Sequence, residues 1–298
     1  MSPSRPTVCL TFDFDAMSSW VTSGKSNNPS MISRGELSLI GIPRILALLR
    51  DFDAKGSFFV PGHTILAFPQ LIEAIAADGH ELGHHGWGHE NPADFDRAGE
   101  EKVLELGIKA HEKVVGKAPT GYRSPAWDLS KDSVDLLLAH GFAYESSCMG
   151  SDFTPYYLRS GDRWSTTEPY VFGATTELIE MPVSWLLDDF PHFELIPGLF
   201  AQMAEPEKVF GTWREEFDFM AASEPDGALT LTMHPECTGR GARIEGLRRL
   251  LEHMAGAGAE FKTVGEVAAG WREANPLEEW KAANPLRTGA DARNLTVG

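Results

Sequence analysis

The feature that most constrains the fold of this chain is a regular alternation of short apolar runs with longer amphipathic stretches, spread over most of its 298 residues. The apolar runs have the length of buried strands, and the amphipathic stretches have the period of helices. Repeated strand–helix units predict a parallel sheet covered by helices. Because there are seven or eight such units, we expect an α/β fold in which the parallel strands close into a barrel.

The predicted elements alternate along the chain. The strands are expected at residues 8–14, 55–60, 81–85, 121–123, 143–146, 178–182, 228–233 and 260–262. The helices are expected from Pro43, at 65–77, at 100–115, from an N-cap at Ser130 to His140, and at 206–222, 243–255 and 264–272. Thr263 and Glu266 have the spacing of a capping box at the start of the last helix.

Two segments break this alternation. No linker rich in Pro, Gly or Ser divides the chain, so residues 1–275 are predicted to form a single barrel domain. Within it, residues 16–35 are polar and contain Ser, Asn, Gly and Met, which predicts a long active-site loop. Residues 276–298 are polar and contain proline, which predicts a C-terminal tail.

The charge balance excludes several classes of partner. The chain has 26 Lys and Arg against 43 Asp and Glu, a formal net charge of −17. A nucleic-acid groove and an anionic membrane surface both require clustered positive charge, so neither partner is expected. The N-terminal residues lack the pattern of a secretory signal, and three scattered cysteines form no disulfide framework. We therefore expect a cytoplasmic protein.

Four polar motifs lie where predicted strands end, the edge at which parallel α/β folds build active sites. In the first, TFDFD, alternation along the strand points Asp13 and Asp15 to the same side. Two carboxylates this close repel each other unless a cation holds one of them. A solvated strand end is the alternative interpretation.

The second motif is rich in histidine. His85 and His89, in HGWGH, are four residues apart, a spacing that can bring two imidazoles to one metal ion. His80 and His84 have the same spacing, so the pattern alone leaves both pairs open. Together with a carboxylate, either pair would give a site of two histidines and one carboxylate with open positions.

The third and fourth motifs are RSPAW, which begins at Arg123, and LTMHP, which contains His234. An arginine at a strand end can pair with a carboxylate, although a surface arginine before a turn is common. His234 follows an apolar strand and is suited to be a general acid or base, or is a hydrogen-bonded structural residue. Downstream, Arg240 could hold a polar group of a substrate.

Taken in this order, the four motifs resemble those of the polysaccharide deacetylase family, which shares the NodB homology domain. The resemblance spans residues 11–235 and implies a distorted (β/α) barrel of seven or eight strands. It also implies a hydrolase of carbon–nitrogen bonds other than peptide bonds. In such an enzyme Asp13 would be the catalytic base, Arg123 would orient it, and His234 would be the general acid.

The same resemblance selects among the possible metal ligands. It implies that Asp15, His85 and His89 bind a divalent metal ion, most simply Zn²⁺, and it favours this pair of histidines over His80 and His84. Trp87, Trp127 and Trp185 lie beside the motifs and are candidates for a flat apolar wall around a substrate, or are ordinary core residues. Asp188 and Asp189 are candidates for orienting His234 or for binding substrate, or belong to a solvated turn.

The loops resemble most closely a branch that contains intracellular peptidoglycan-deacetylase-like proteins, allantoinases and cyclic imide hydrolases. Gly86 and the sequence after Arg123 depart from the wider family, which disfavours a long chitin-like polymer. We therefore expect a small-molecule or short saccharide substrate, either an N-acetyl sugar or a related small amide. The alternatives are opening of a cyclic imide or an allantoin-type ring and, in another class, a non-catalytic carbohydrate-binding protein. The branch also implies a homo-oligomer.

Overall fold

A computed structural model describes residues 5–196, 203–224 and 226–289 of the chain. The strands are β1 (Thr7–Asp13), β2 (Gly56–Val60), β3 (Glu81–His84), β4 (Gly121–Tyr122), β5 (Tyr144–Glu145), β6 (Tyr156–Ser160), β7 (Ala174–Glu180), β8 (Ala228–Met233) and β9 (Glu260–Phe261). Most of them begin and end within two residues of the predicted limits.

The helices alternate with these strands. They are α1 (Pro29–Ile32), α2 (Ser38–Asp51), α3 (Gly62–Ala67), α4 (Pro69–Ala77), α5 (Arg97–Val115), α6 (Ser133–Ala139), α7 (Phe190–Phe193), α8 (Pro206–Ser223), α9 (Gly241–Gly256), α10 (Val264–Ala274), α11 (Leu277–Ala283) and α12 (Pro285–Thr288). The predicted capping box is present at α10. The Thr263 hydroxyl accepts a hydrogen bond from the backbone N–H of Glu266, and the Glu266 carboxylate accepts one from the backbone N–H of Thr263. No helix in the described part of the chain is both long and apolar enough to cross a membrane.

The strands form one curled sheet in the order β6-β7-β5-β4-β3-β2-β1-β8, and β9 also pairs with β1. All of these pairings are parallel except that of β6 with β7. A single parallel bridge between Asp188 and Thr232 joins the segment after β7 to β8 and so brings the two ends of the sheet together. The predicted distorted (β/α) barrel is confirmed.

The central strands are buried on both faces, as expected when helices cover a parallel sheet. Every residue of β2 and β8 is buried, and so is β1 from Val8 onward. Phe12 and Phe58 stack at 4.8 Å between ring centroids across neighbouring strands. This packing makes the strand ends a rigid platform for the loops that follow them.

Several predicted boundaries are wrong. The first long helix begins at Ser38, and Pro43 lies inside it. Residues 65–77 do not form one helix, because Phe68, with φ −131° and ψ 53°, separates α3 from α4 at the residue before Pro69. The cap of α6 is Asp132 and not Ser130.

The hairpin of β6 and β7 is absent from the prediction, which placed only a strand at 178–182. The strand β7 begins earlier, at Ala174, and pairs with the antiparallel strand β6. Its first four residues, 174–177, are exposed or only partly buried. Such a half-exposed strand lacks the continuous apolar run of a central parallel strand.

The two segments outside the alternating pattern contain helical turns. The predicted loop 16–35 includes a π-helical turn at Ser19–Ser23 and the short helix α1. The predicted tail 276–298 includes α11 and α12, and its residues 290–298 lie outside the described residues. The first segment folds over the carboxyl ends of the strands, where the motifs meet.

Candidate active site

A cavity of about 450 Å³ lies at the carboxyl ends of the barrel strands. All four polar motifs reach it or lie directly beneath it. Its polar lining comes from the strand ends and from three serines of segment 16–35, and its apolar lining comes mainly from the loops. The lining residues are Asp13, Asp15, Ser19, Trp20, Ser23, Gly24, Ser26, Met31, His85, His89, Ala126, Trp127, Trp185, Asp188, Phe190, Ile196 and His234.

Asp15, His85 and His89 converge at the base of this cavity. The Nε2 atom of His85 lies 3.4 Å from Asp15 Oδ1, and the Nε2 atom of His89 lies 3.2 Å from Asp15 Oδ2. Ligand atoms that share one ion at about 2.1 Å in a tetrahedral arrangement are separated by roughly 3.4 Å. The three side chains therefore have the spacing of a common metal site.

The hydrogen bonding of this cluster also fits a divalent cation. Asp15 Oδ1 and His85 Nε2 are buried and have no hydrogen-bond partner among the described residues. The other ring nitrogen of each histidine has a hydrogen-bond partner outside the cluster. His85 Nδ1 bonds to the carbonyl of Arg123 at 2.8 Å, and His89 Nδ1 bonds to Ser23 Oγ at 2.6 Å. These second bonds hold each ring with Nε2 facing the carboxylate, the arrangement typical of histidine ligands.

The electrostatics agree with this arrangement. Burial alone would raise the pKa of Asp15, but the nearby His89, His85 and His234 lower it below its usual range. Burial lowers the pKa of His85. These two shifts favour an ionised Asp15 and a neutral His85, the protonation states in which these groups bind metals. The pKa of His89 shifts the other way, because burial would lower it but the charge of Asp15 and the hydrogen bond to Asp15 raise it, so a metal ion would displace a proton from His89.

His80 and His84, the alternative pair, lie away from the cavity. His84 is fully buried, with Nε2 3.0 Å from the carbonyl of Leu104 and Nδ1 accepting from the backbone of Gly86. His80 Nδ1 accepts from the backbone of Gly56. These two are structural histidines. Their spacing matches that of His85 and His89, but strand alternation directs His84 to the opposite face of the sheet from His85.

Asp13 is held by a buried arginine. Arg123 Nη1 donates to Asp13 Oδ1 at 2.8 Å and to Thr11 Oγ1 at 2.7 Å. The Nε and Nη2 atoms of Arg123 donate to the backbone carbonyl and the hydroxyl of Ser146. The second oxygen of Asp13, Oδ2, lies 3.9 Å from His85 Nε2 and so faces the metal-site cluster.

His234 stands on the opposite side of the cluster and is held by Asp189. Its Nδ1 lies 2.8 Å from Asp189 Oδ1, and its Nε2 lies 4.0 Å from Asp15 Oδ2. Burial would lower the pKa of His234, but the hydrogen bond to Asp189 and the nearby Asp188 raise it well above its usual value. His234 is therefore set to carry a proton on Nε2. Burial also raises the pKa of Asp188 to about 7.

The apolar wall of the cavity is built largely by two of the predicted tryptophans. Trp127 and Trp185 stack with ring centroids 4.2 Å apart. Trp127 and the preceding Ala126 both have left-handed backbone, with φ 58° and 52°. This conformation is unfavourable for residues other than glycine and often marks a functional loop.

Three other predicted substrate-binding residues are not in the cavity wall. Trp87 packs against α3, where a Cβ on Gly62 would lie 2.7 Å from its ring, and it meets His63 edge-on. Arg240 is exposed at the start of α9. Asp189, the third, lies below the cavity and contacts His234 instead of open space.

The sequence analysis missed the apolar residues that complete the wall. Trp20 and Met31 come from segment 16–35, and Phe190 and Ile196 follow the Asp188-Asp189 pair. Trp20 offered a signal, because a tryptophan is unusual in an otherwise polar segment. The other three carry no sequence pattern that separates them from core residues.

Comparison with known proteins agrees with these motifs. The model of the family described as polysaccharide deacetylase matches residues 35–144. A peptidoglycan deacetylase from Helicobacter pylori is 35% identical over 288 residues, which cover 91% of this chain and 98% of that protein.

Solved structures share the fold. A protein from Mycobacterium smegmatis, provisionally named a polysaccharide deacetylase, is 34% identical, with a TM-score of 0.79 and 92% of each chain covered. An allantoinase superimposes with a TM-score of 0.75 over 92% of each chain. At 20% identity, the second likeness shows the common fold alone.

Proposed function

The chain belongs to the polysaccharide deacetylase family, and we propose that it is a metal-dependent hydrolase that removes the N-acetyl group from a sugar or cleaves a related small amide. As a family member it is a deacetylase-like hydrolase of carbon–nitrogen bonds other than peptide bonds. The proposal adds two points to this family activity: the enzyme depends on a bound metal ion, and its substrate is small.

The observation that carries the proposal is the placement of three groups around one cavity. Asp15, His85 and His89 form the cluster with unpartnered buried ligand atoms. The Asp13–Arg123 pair flanks it on one side and the His234–Asp189 pair on the other. A water molecule and an amide carbonyl at this cluster would have a proton acceptor and a proton donor within reach.

The residues divide the two proton transfers of amide hydrolysis between them. Asp13, oriented through Oδ1 by Arg123, would take the proton of the attacking water on Oδ2. His234, held through Nδ1 by Asp189, would give its Nε2 proton to the departing nitrogen.

The metal ligands would be Asp15, His85 and His89. A Zn²⁺ ion bound there supplies Lewis acidity that activates water and polarises a carbonyl. His85 and His89 are held with Nε2 inward by the Arg123 carbonyl and by Ser23, and neither bond needs to change for an ion to bind.

The proposal is tested with the full chain after chelation and reloading with Zn²⁺. We expect the loaded protein to hydrolyse at least one small amide and the chelated protein to lose that activity. Asp13→Asn should lower kcat by about 10²–10⁴-fold, the usual contribution of a general base. Asp152→Asn, at an exposed position, is the matched control and should leave kcat unchanged. Full activity after chelation, or in Asp13→Asn, would contradict the mechanism.

Opening of a cyclic imide is a second candidate, and the apolar wall favours it. Trp20, Trp127, Trp185 and Phe190 present flat surfaces on which a planar imide can stack. Three serines of segment 16–35 also line the cavity and are the further polar groups that a saccharide could use. A panel of N-acetylglucosamine oligomers, succinimide, phthalimide, hydantoin and allantoin distinguishes the two. Turnover of the imides without turnover of N-acetyl sugars would replace the first candidate by the second.

A further inference from the structure

A second cluster of metal-binding side chains lies outside the candidate active site. It consists of Glu145 at the end of β5, Glu180 at the end of β7, and Cys148 in the loop after β5. Glu145 and Glu180 are direct partners in the parallel pairing of the two strands. None of the three lines the active-site cavity.

The three side chains are close enough to share one ion. One potential ligand atom from each lies within 4.8 Å of the other two. Cys148 Sγ lies 3.8 Å from Glu145 Oε2. Both carboxylates are completely buried, whereas Cys148 is only partly buried and precedes the half-exposed Met149. Cys148 is therefore the member of the cluster that lies nearest to solvent.

The hydrogen bonds leave one carboxylate oxygen free at the cluster. Glu180 Oε1 accepts from the backbone of Cys148 at 3.0 Å, but Glu180 Oε2 has no hydrogen-bond partner among the described residues. Glu145 accepts from the backbone and the hydroxyl of Ser147. An unpartnered buried carboxylate oxygen costs free energy unless a cation or a proton satisfies it.

The local electrostatics disfavour ionisation of all three side chains unless a cation is bound. Burial and the neighbouring Glu145 raise the pKa of Glu180 well above its usual value. Burial and the two carboxylates likewise raise the pKa of the Cys148 thiol. Either a proton shared by the glutamates or a divalent cation would relieve this repulsion. The protonated thiol donates to Glu145 Oε2, and only a cation would convert it into a thiolate ligand.

We propose that Glu145, Cys148 and Glu180 bind a second divalent metal ion of the Zn²⁺ type. Two carboxylate oxygens and a thiolate are ligands that Zn²⁺ accepts, and water from the cysteine side completes four-fold coordination. Binding displaces two protons to solvent, one from the Cys148 thiol and one from the pair of glutamates, and ties the ends of β5 and β7 together. The site stands independently of the proposed hydrolytic function.

The test uses Co²⁺ as a spectroscopic probe in the full chain after chelation. The active-site ligands Asp15, His85 and His89 include no sulfur, so a sulfur-to-cobalt charge-transfer band reports a cysteine site alone. We expect the wild-type chain to show this band. Cys148→Ser should abolish it, and Glu180→Gln should weaken Co²⁺ binding at this site at least tenfold.

The matched control is Cys237→Ser. Cys237 also lies beside a glutamate, with Sγ 3.5 Å from Glu194 Oε1, although it is fully buried, and its removal should leave the band intact. His85→Gln should also leave the band intact while lowering the total metal bound by one equivalent.

The metal content separates this proposal from the proposed function. Two equivalents of Zn²⁺ per wild-type chain support both sites. One equivalent accompanied by the thiolate band supports this site and contradicts the active-site metal. Absence of the thiolate band from the wild-type chain, or its persistence in Cys148→Ser, would overturn the proposal and leave a proton-sharing pair of glutamates.

Discussion

Arg123 and Asp13 form an ion pair of 2.8 Å inside the barrel, and neither side chain is more than 3% exposed. The guanidinium carbon lies 4.3 Å from the centroid of the Phe59 ring. The arginine thus fills a space between β1, β2 and β4 and fixes the orientation of the Asp13 carboxylate. Strand ends that are far apart in sequence meet at this pair.

Replacement of Arg123 should destabilise the fold severely. In Arg123→Met the Asp13 carboxylate remains buried without its partner, so we expect the free energy of unfolding to fall by about 3–5 kcal/mol. The matched control is Arg97→Met, which removes a half-exposed pair with Asp132 and should cost about 0–1 kcal/mol. Urea unfolding measures both. Equal losses in the two variants would show that the buried pair has no special role.

Asp189→Asn should impair catalysis through His234. The amide keeps the shape of Asp189 but loses its charge, so His234 is held less firmly and its pKa falls. We expect kcat to drop by about 10²–10⁴-fold, the typical share of a general acid. Because the general acid must be protonated, the activity of the variant should begin to fall at a lower pH than that of the wild type.

The control for this variant is Asp188→Asn. Asp188 Oδ1 lies 3.7 Å from His234 Nδ1, beyond hydrogen-bond distance. The shift of the pH profile should therefore be smaller than in Asp189→Asn. A larger shift in the Asp188 variant would reassign the residue that holds His234.

Ala126→Gly should stabilise the protein. The left-handed backbone at Ala126, with φ 52°, is strained for alanine and free for glycine. Glycine also raises the conformational entropy of the unfolded chain, which offsets part of this benefit. We expect the free energy of unfolding to rise by about 0.5–1 kcal/mol. Ala74→Gly, on the exposed side of α4, should instead lose about 0.5–1 kcal/mol. Thermal or urea unfolding that shows the same sign for both variants would contradict the role of strain.

His111 should make stability sensitive to acid. Burial lowers its pKa from 6.5 to about 4, so the unfolded chain binds a proton that the folded chain does not. The contribution to stability is therefore complete above pH 6.5 and is lost as pH falls toward 4. In His111→Gln we expect the decrease in stability between about pH 7 and about pH 4.5 to be smaller by about 2 kcal/mol.

The control for the pH experiment is His63→Gln, because His63 is exposed and its Nδ1 lies 3.1 Å from an uncharged partner, Ser18 Oγ. This variant should follow the wild-type curve of stability against pH. An unchanged slope in His111→Gln would mean that other buried groups cause the acid sensitivity.

The sequence predicted the elements that have a strong local signal. The strands β1, β2 and β8 are continuous apolar runs, and the polar motifs follow them directly, so both the barrel and the position of the site could be anticipated. The hairpin of β6 and β7 could not, because an antiparallel pair at the sheet edge is only partly buried and lacks such a run.

Single residues in the site were harder to assign than the motifs. Trp87 and Trp127 both follow a motif residue closely, yet Trp127 enters the cavity and Trp87 packs under α3. The backbone at Ala126 and Trp127 is left-handed, and the spacing of residues in the sequence does not predict this conformation.

The sequence by itself determined the alternating architecture and the order of the chemical groups along it, because burial patterns and motif spacing are local properties of the chain. Only the tertiary structure decided which groups meet. Side-chain alternation along β3 selects His85 over His84. The parallel pairing of β8 with β1 brings His234 within 4.0 Å of Asp15, and the pairing of β5 with β7 creates the cluster of Glu145 and Glu180. These contacts join residues up to 219 positions apart, and they exist because the barrel gathers the ends of its strands at one edge.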